Sequence, residues 1–140
     1  MKSKGTWSAP ARDLYTSPLF AGRRRWVERT CGRWFILSAK YGLLTPDWLI
    51  APYDETLTKM LLEKRREWSK DVLSALQSYL GALGVYTFEL HAGRAYLGFG
   101  IEEGLRRAGA RLEVPCQHLS LGRQLALYHM GPPIRREDLT

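Results

Sequence analysis

The chain has 140 residues, of which 45% are hydrophobic and 25% charged, a composition typical of a folded globular domain that excludes collagen, a coiled coil and wholesale disorder. No stretch approaches the roughly 20 apolar residues of a membrane helix. No apolar signal core follows the N-terminal lysines, so a cytoplasmic protein without membrane contact is expected. Cys31 and Cys116 lie far apart without a Cys-x-x-Cys motif, which favours reduced thiols and argues against zinc.

The charge balance gives the first indication of a partner. The chain carries 21 basic and 14 acidic residues, a net charge of +7, and 15 of the basic residues are arginine. The planar guanidinium pairs bidentately with phosphate and stacks on bases, so a nucleic acid or a nucleotide is predicted as the partner. A GC-rich genome or a need for solubility would give the same balance, because net charge concerns association rather than fold.

The first half of the chain predicts a helical segment, a strand, a loop and a long helix. Residues 12–30 are predicted to be helical around Pro18, and the apolar run of residues 34–38 predicts a strand buried on both faces. Residues 39–56 are predicted to form a long structured loop, because their prolines forbid a continuous helix. From Thr56 onward, apolar residues at helical spacing predict a helix that breaks near residues 64–67 and ends at Gly81.

The second half alternates strands and helices. Strands are predicted at residues 85–90 and 112–114, joined by an amphipathic helix that stops at Gly109, and a last helix at about 121–128. This alternation predicts a βαβ unit and an α/β fold, a three-layer sandwich with a small, mostly parallel sheet and helices on both faces. We expect one domain over residues 1–130 and a polar tail over 131–140.

The predicted topology places a site before any chemistry is considered. Ligands of open parallel sheets bind beyond the carboxyl ends of the strands. Here those ends are residues 38–42, 91–94 and 115–118. We therefore expect these three stretches to meet at one cationic edge of the sheet.

Four residues at the strand ends and one in the long loop are candidates for chemistry or ligand contact. Ser38, Lys40 and Tyr41 offer a hydroxyl, a phosphate-pairing ammonium and a stacking surface; the alternative is a tight turn closed by Gly42. His91 is the best general acid or base by residue type, although a strand-end histidine is more often a structural hydrogen-bonding group. Asp54 could orient a water or a hydroxyl, or cap a helix.

The remaining candidates belong to helix starts and aromatic positions. Gly122 and Arg123 open the last helix, where backbone N–H groups and a guanidinium could share a phosphate. Tyr96 could stack on a base, and Gly93 follows the second strand. Tyr15 and Ser17 combine an aromatic face with a hydroxyl, although an aromatic at helical spacing is usually core. Walker, Gly-x-Gly-x-x-Gly, His-Glu-x-x-His and Gly-x-Ser-x-Gly motifs are absent, and neither a cofactor nor a metal is predicted.

Several segments together resemble a bacterial and phage domain family of unknown function that is similar to the YaaA peroxide-stress proteins. The most specific part is Leu-Ser-x-x-Tyr-Gly-Leu-Leu at residues 37–44, followed by Pro52-Tyr53. The other matching segments are residues 9–20, His91-Ala92-Gly93 with Tyr96, and residues 121–125. More distant relatives are compared with uracil-DNA-glycosylase-like folds. Members usually begin with a strand ending in a Cys-Ser-Lys-like element, whereas this chain starts inside it at Met1–Lys4, so either the sequence begins late or that strand is absent.

The resemblance implies DNA binding and protection from oxidative stress. Together with the strand-end residues it predicts a nucleic-acid- or nucleotide-binding domain that acts on a base, by cleaving a glycosidic bond or processing a modified base. Tyr41 or Tyr96 would stack the base, and Asp54 or His91 would position water or carry a proton. The alternatives are a DNA-binding stress-protection protein without enzymatic activity and a small-molecule nucleotide enzyme.

Overall fold

The computed structural model describes residues 7–132, and its contacts fall into two compact units. Within the described residues, unit 1 comprises residues 7–14 and 35–115, and unit 2 comprises residues 15–34 and 116–132. The single domain over residues 1–130 stays a prediction. The expected tail, apart from Gly131 and Pro132, and residues 1–4, which correspond to the end of the first strand of the similar proteins, lie outside the described residues.

Unit 1 contains six strands, four helices and two 3-10 turns within the described residues. They are β1 (Ala9–Pro10), α1 (Ala11–Leu14), β2 (Ile36–Ser38), β3 (Gly42–Leu44), β4 (Leu49–Ile50), a 3-10 turn (Leu57–Lys59), α3 (Leu62–Leu80), a 3-10 turn (Leu83–Val85), β5 (Thr87–Glu89), α4 (Arg94–Leu97), α5 (Ile101–Arg107) and β6 (Arg111–Glu113). Unit 2 contains α2 (Pro18–Thr30) and α6 (Leu121–Met130).

The predicted strand at residues 34–38 is present as β2, but its partner is β3, with Ser38 opposite Gly42 in antiparallel register. The connection of three residues, 39–41, is too short for the crossover that a parallel pair needs. Gly42 has φ +76°, the left-handed conformation that closes hairpin loops of this length. The predicted long loop of residues 39–56 therefore contains β3 and also β4, which pairs with β1.

The predicted βαβ unit is confirmed. Strands β5 and β6 pair in parallel, with Thr87 opposite Arg111 and Glu89 opposite Glu113. The crossover is two short helices rather than one, because the chain leaves the helical conformation at Gly98–Gly100, where Gly100 has φ +138°.

The long helix α3 supplies much of the core of unit 1. Its inner face buries Trp68, Val72 and Leu76, which pack with Leu97, Leu105 and other apolar side chains of the unit. The helix ends at Gly81 as predicted, but it begins after Leu61, and residues 57–59 form a separate 3-10 turn. The predicted break at residues 64–67 is therefore wrong, since the interruption lies several residues earlier.

The fold class is mixed α/β, with about half of the described residues helical. Within residues 7–132 the strands form three separate pairs, of which two are antiparallel and one parallel. A single, mostly parallel sheet inside a three-layer sandwich is not confirmed, because β2 pairs with β3 in an antiparallel hairpin. No helix within the described part of the chain has the length and apolar character needed to cross a membrane.

Unit 2 is built on the packing of α2 against α6. Ser17 caps the first of these helices by accepting a hydrogen bond from the Phe20 N–H (3.1 Å), and Ser120 caps the second. Trp26 meets Tyr128 edge to face, with ring centroids 5.8 Å apart. A Cβ on Gly22 would stand 2.6 Å from that of Tyr128, so only glycine permits this close approach.

Candidate functional site

Ser38 is the centre of a hydrogen-bonded cluster in unit 1. Its side chain is fully buried, and its Oγ accepts hydrogen bonds from the backbone N–H groups of Lys40 (3.3 Å) and Tyr41 (3.0 Å). The same hydroxyl donates to the Tyr53 hydroxyl at 2.9 Å. A buried hydroxyl that satisfies three groups fixes the backbone of the turn and the position of Tyr53.

Helix α3 also contacts Ser38, through the side chain of Trp68. The Trp68 indole N–H donates to the Ser38 carbonyl oxygen at 2.8 Å, in a buried contact 30 residues apart in sequence. The Trp68 ring also packs edge to face on Tyr96 of α4, with centroids 5.7 Å apart. Ser38, Trp68 and Tyr96 are thus linked through direct contacts.

Tyr41 and Lys40 form the exposed end of this cluster. The Tyr41 ring meets Tyr53 edge to face at 5.5 Å, yet the residue remains 37% exposed. The Lys40 ammonium lies 5.3 Å from the centroid of the Tyr41 ring. We call Ser38, Lys40, Tyr41 and Tyr53 the Ser38 cluster.

The tight-turn interpretation of Lys40 and Tyr41 is confirmed, since residues 39–41 are the hairpin loop and Gly42 closes it. The turn does not compete with a binding role. The hairpin is what brings an aromatic ring and an ammonium to the surface next to a buried hydroxyl.

Asp54 and His91 differ in access to solvent. Asp54 follows Tyr53 directly and is exposed, and none of the residues 7–132 pairs with its carboxylate. The His91 side chain is only 5% exposed, and its Nε2 lies 2.8 Å from the Glu89 carboxylate, itself 11% exposed. This geometry matches the structural alternative for His91, while Gly93, at the start of α4, is exposed.

Four of the candidate residues belong to unit 2, not to the Ser38 cluster. Tyr15 packs on Phe20 with ring centroids 5.1 Å apart, and Ser17 is the helix cap. Gly122 and Arg123 are exposed in the first turn of α6, where the Arg123 N–H donates to Ser120 Oγ at 3.3 Å. Their placement at a helix start agrees with the prediction. The expectation that three strand ends meet at one edge depended on a single sheet, whereas among the described residues β2 pairs only with β3.

The family described as "Family of unknown function (DUF6884)" matches residues 1–130. The chain belongs to this family. No curated protein and no solved structure matches the chain. The function of this DUF6884 chain is therefore inferred from its own residues.

Two members of the arrangement in this DUF6884 chain were missed as site residues. Tyr53 stood only within a matching segment of the resemblance, and Trp68 was assigned to the apolar face of a helix. No local signal pairs either with Ser38, although polar handles on buried aromatics generally find partners. Among residues 7–132, no three His, Cys, Asp or Glu side chains lie close enough to hold a metal ion.

Proposed function

We propose that the chain binds a nucleotide or a nucleic acid, with one base stacked on Tyr41 and its phosphate near Lys40. The supporting observation is an exposed aromatic ring with an ammonium 5.3 Å from its centroid, at a turn held by hydrogen bonds to Ser38. Aromatic side chains stack on bases without regard to sequence, and each such contact contributes about 1–3 kcal/mol. An ammonium meets phosphate as a point charge.

The turn is organised before any ligand arrives. The Tyr41 N–H is held by Ser38, and the Tyr41 ring by Tyr53. A surface that is already ordered loses less entropy on binding. The contact of Lys40 with the ring contributes only about 0.5–1 kcal/mol at an exposed site, less than the roughly 1.5–3 kcal/mol of a hydrogen bond to a charged group. Lys40 can therefore exchange the ring for a phosphate.

The resemblance to the YaaA proteins supports the same partner, because members of that group bind DNA. A YaaA-like relationship, a role in oxidative stress protection and a three-layer α/β arrangement form the finer part of this proposal. The parallel β5–β6 pair with its helical crossover supports the last of these.

Substitution of Tyr41 tests the proposal. We expect Tyr41→Ala to weaken binding of thymidine monophosphate and of a short single-stranded oligonucleotide roughly 5- to 150-fold, the equivalent of one stacked base. Tyr41→Phe, which keeps the ring, should bind nearly as wild type. The matched control is Tyr86→Ala, because Tyr86 is 38% exposed and Tyr41 37%. Equal losses in Tyr41→Ala and Tyr86→Ala, or none in Tyr41→Ala, would contradict a stacking role.

Substitution of Lys40 tests the phosphate contact separately. Lys40→Met should make the salt dependence of oligonucleotide binding shallower, by about 0.7 in the slope of log affinity against log salt. Lys70→Met removes the same charge from an exposed position of α3 and should leave the slope unchanged. A slope that changes equally in both variants would show that Lys40 makes no phosphate contact of its own.

Processing of the bound base is the second candidate function. The observation that favours it is the exposed carboxylate of Asp54, directly after Tyr53, which pairs with no other residue of 7–132. If the chain cleaves a glycosidic bond, chromatography will detect a released base with wild type and none with Asp54→Asn, while binding persists. Asp47→Asn, another exposed carboxylate, serves as control. Product formation by Asp54→Asn at the wild-type rate would refute this assignment, and binding without any product would favour the non-enzymatic alternative.

A further inference from the structure

The net positive charge of the described residues belongs to unit 2. Residues 7–14 and 35–115 of unit 1 contain eleven basic and eleven acidic residues and are neutral overall. Residues 15–34 and 116–132 of unit 2 contain six arginines, one glutamate and no lysine, a net charge of +5. Most of the net charge of +7 therefore belongs to 37 residues built on two helices.

Three of these arginines are available to a partner. Arg25, Arg29 and Arg123 are exposed, and none of their guanidinium groups pairs with another residue of the described part of the chain. By contrast, Arg24 is 3.1 Å from Glu28, and Arg23 donates to the Gln124 side chain at 3.3 Å. Part of the positive charge of unit 2 is therefore carried by exposed guanidinium groups that no described carboxylate neutralises.

The spacing on α2 suits a repeating anion. Arg25 and Arg29 are four residues apart and so project from one face on successive turns. They are separated by about 6 Å along the helix axis. A regular polyanion can meet both guanidinium groups at once.

We propose that Arg25, Arg29 and Arg123 of unit 2 form a docking surface for the phosphate backbone of duplex nucleic acid. Arginine is the side chain best suited to phosphate, because its fork binds two oxygens at once. Contacts of this kind position a protein on a duplex without reading the sequence. The surface is independent of the nucleotide site at Tyr41, since it rests on other residues and on another unit.

A membrane surface fits this face less well. Interfacial helices insert a broad apolar face between lipid headgroups. Of the large apolar residues of α2, Trp26 and Val27 are instead buried in a cluster with Tyr128, and Leu19 and Phe20 are half-buried. The exposed apolar residues of α6, Leu121 and Met130, stand at its two ends, about 13 Å apart along its axis.

The test compares two triple variants of the full chain that lose equal charge. The first is Arg25→Gln with Arg29→Gln and Arg123→Gln. The control is Arg66→Gln with Lys70→Gln and Arg106→Gln, three exposed cations of unit 1 that likewise pair with no described residue. Binding to a short labelled DNA duplex is followed by fluorescence anisotropy over a range of salt concentrations, and circular dichroism checks the fold of each variant.

Each phosphate contact contributes about −0.9 to the slope of log affinity against log salt. Loss of three contacts should make the slope shallower by about 2.7 and weaken binding about 500-fold near 0.1 M salt, with the difference vanishing toward 1 M. The control should keep the wild-type slope. If the first triple variant loses its fold, the single variants Arg25→Gln, Arg29→Gln and Arg123→Gln carry the test, and each should make the slope shallower by about 0.9.

Equal losses in both triple variants would overturn the proposal, because they would show attraction to net charge rather than to this surface. An unchanged slope and affinity in the triple variant of Arg25, Arg29 and Arg123 would overturn the proposal as well. Flotation with phosphatidylserine vesicles separates the other anionic partner: vesicle binding that depends on these arginines, without duplex binding, would assign the surface to membranes. Failure of the Tyr41 proposal alone would leave this slope intact, and failure of the surface alone would leave thymidine monophosphate binding intact.

Discussion

Replacement of Ser38 by alanine removes three hydrogen bonds at almost no change in volume. The lost contacts are the two that Ser38 Oγ accepts from Lys40 and Tyr41 and the one it donates to Tyr53, at 3.0–3.3 and 2.9 Å. Each ordinary hydrogen bond contributes about 0.5–1.5 kcal/mol net. The three hydrogen bonds together therefore contribute about 1.5–4.5 kcal/mol. Because the two N–H groups belong to a surface turn that water can reach, we expect Ser38→Ala to lower the free energy of unfolding by an amount near the lower end of this range, about 2 kcal/mol.

Urea unfolding followed by intrinsic fluorescence measures this loss. Tyr53→Phe removes only one of the three contacts and should cost about 1 kcal/mol. The double variant should then lose less than the sum of the two single variants, because both remove the same hydrogen bond. If Ser38→Ala unfolds within about 0.5 kcal/mol of wild type, the typical scatter for surface substitutions, the Ser38 cluster does not organise the turn.

Three further predictions concern the packing and the turn. Gly22→Ala should destabilise the helix pair by about 1–3 kcal/mol, since its Cβ would collide with Tyr128. The control Gly122→Ala, whose Cβ would have no atom within 4 Å, should be neutral or stabilising in the same denaturation assay. Equal effects of the two substitutions would contradict the close approach of α2 and α6. Gly42→Ala should cost about 1–2 kcal/mol because of its φ of +76°, and Gly42→Asn should cost less; an unaffected stability in Gly42→Ala would argue against this hairpin. Burial, together with the Cys116 thiol, raises the pKa of Tyr128 above its ordinary value. Above about pH 10 the folded state therefore keeps this proton while the unfolded state loses it, and the free energy of unfolding should fall by up to about 1.4 kcal/mol per pH unit. Tyr128→Phe should flatten this fall, and a pH profile of stability that is the same in Tyr128→Phe as in wild type would refute the prediction.

Local patterns in the sequence identified the elements that depend on local forces. The spacing of apolar residues in α3 and α6, and the strand–helix–strand order of β5, α5 and β6, follow from burial of one face of each helix and from the short parallel strands between them. Strands of two or three residues, such as β3 and β4, carry too little periodicity to be recognised. The hairpin partner of β2 was missed for this reason, although the turn that closes at Gly42 was considered.

The candidate site was accessible from the sequence only in part. A hydroxyl at Ser38, a cation at Lys40 and a ring at Tyr41 follow from residue type at a strand end. The contacts of Ser38 with Tyr53 and Trp68 join residues 15 and 30 positions away, which a single sequence does not reveal. The concentration of arginine in unit 2 was hidden for the same reason, because it becomes visible only when residues 15–34 are paired with residues 116–132.

Backbone amide chemical shifts during titration with thymidine monophosphate test the nucleotide site most directly. A ligand stacked on Tyr41 shifts nearby amides through its ring current, so the largest changes should fall on residues 38–42 and on Tyr53. The same titration of Tyr41→Ala should lose these changes at equal ligand concentration. Saturable shifts centred on other residues of either unit, or an unchanged pattern in Tyr41→Ala, would contradict base recognition by the Ser38 cluster.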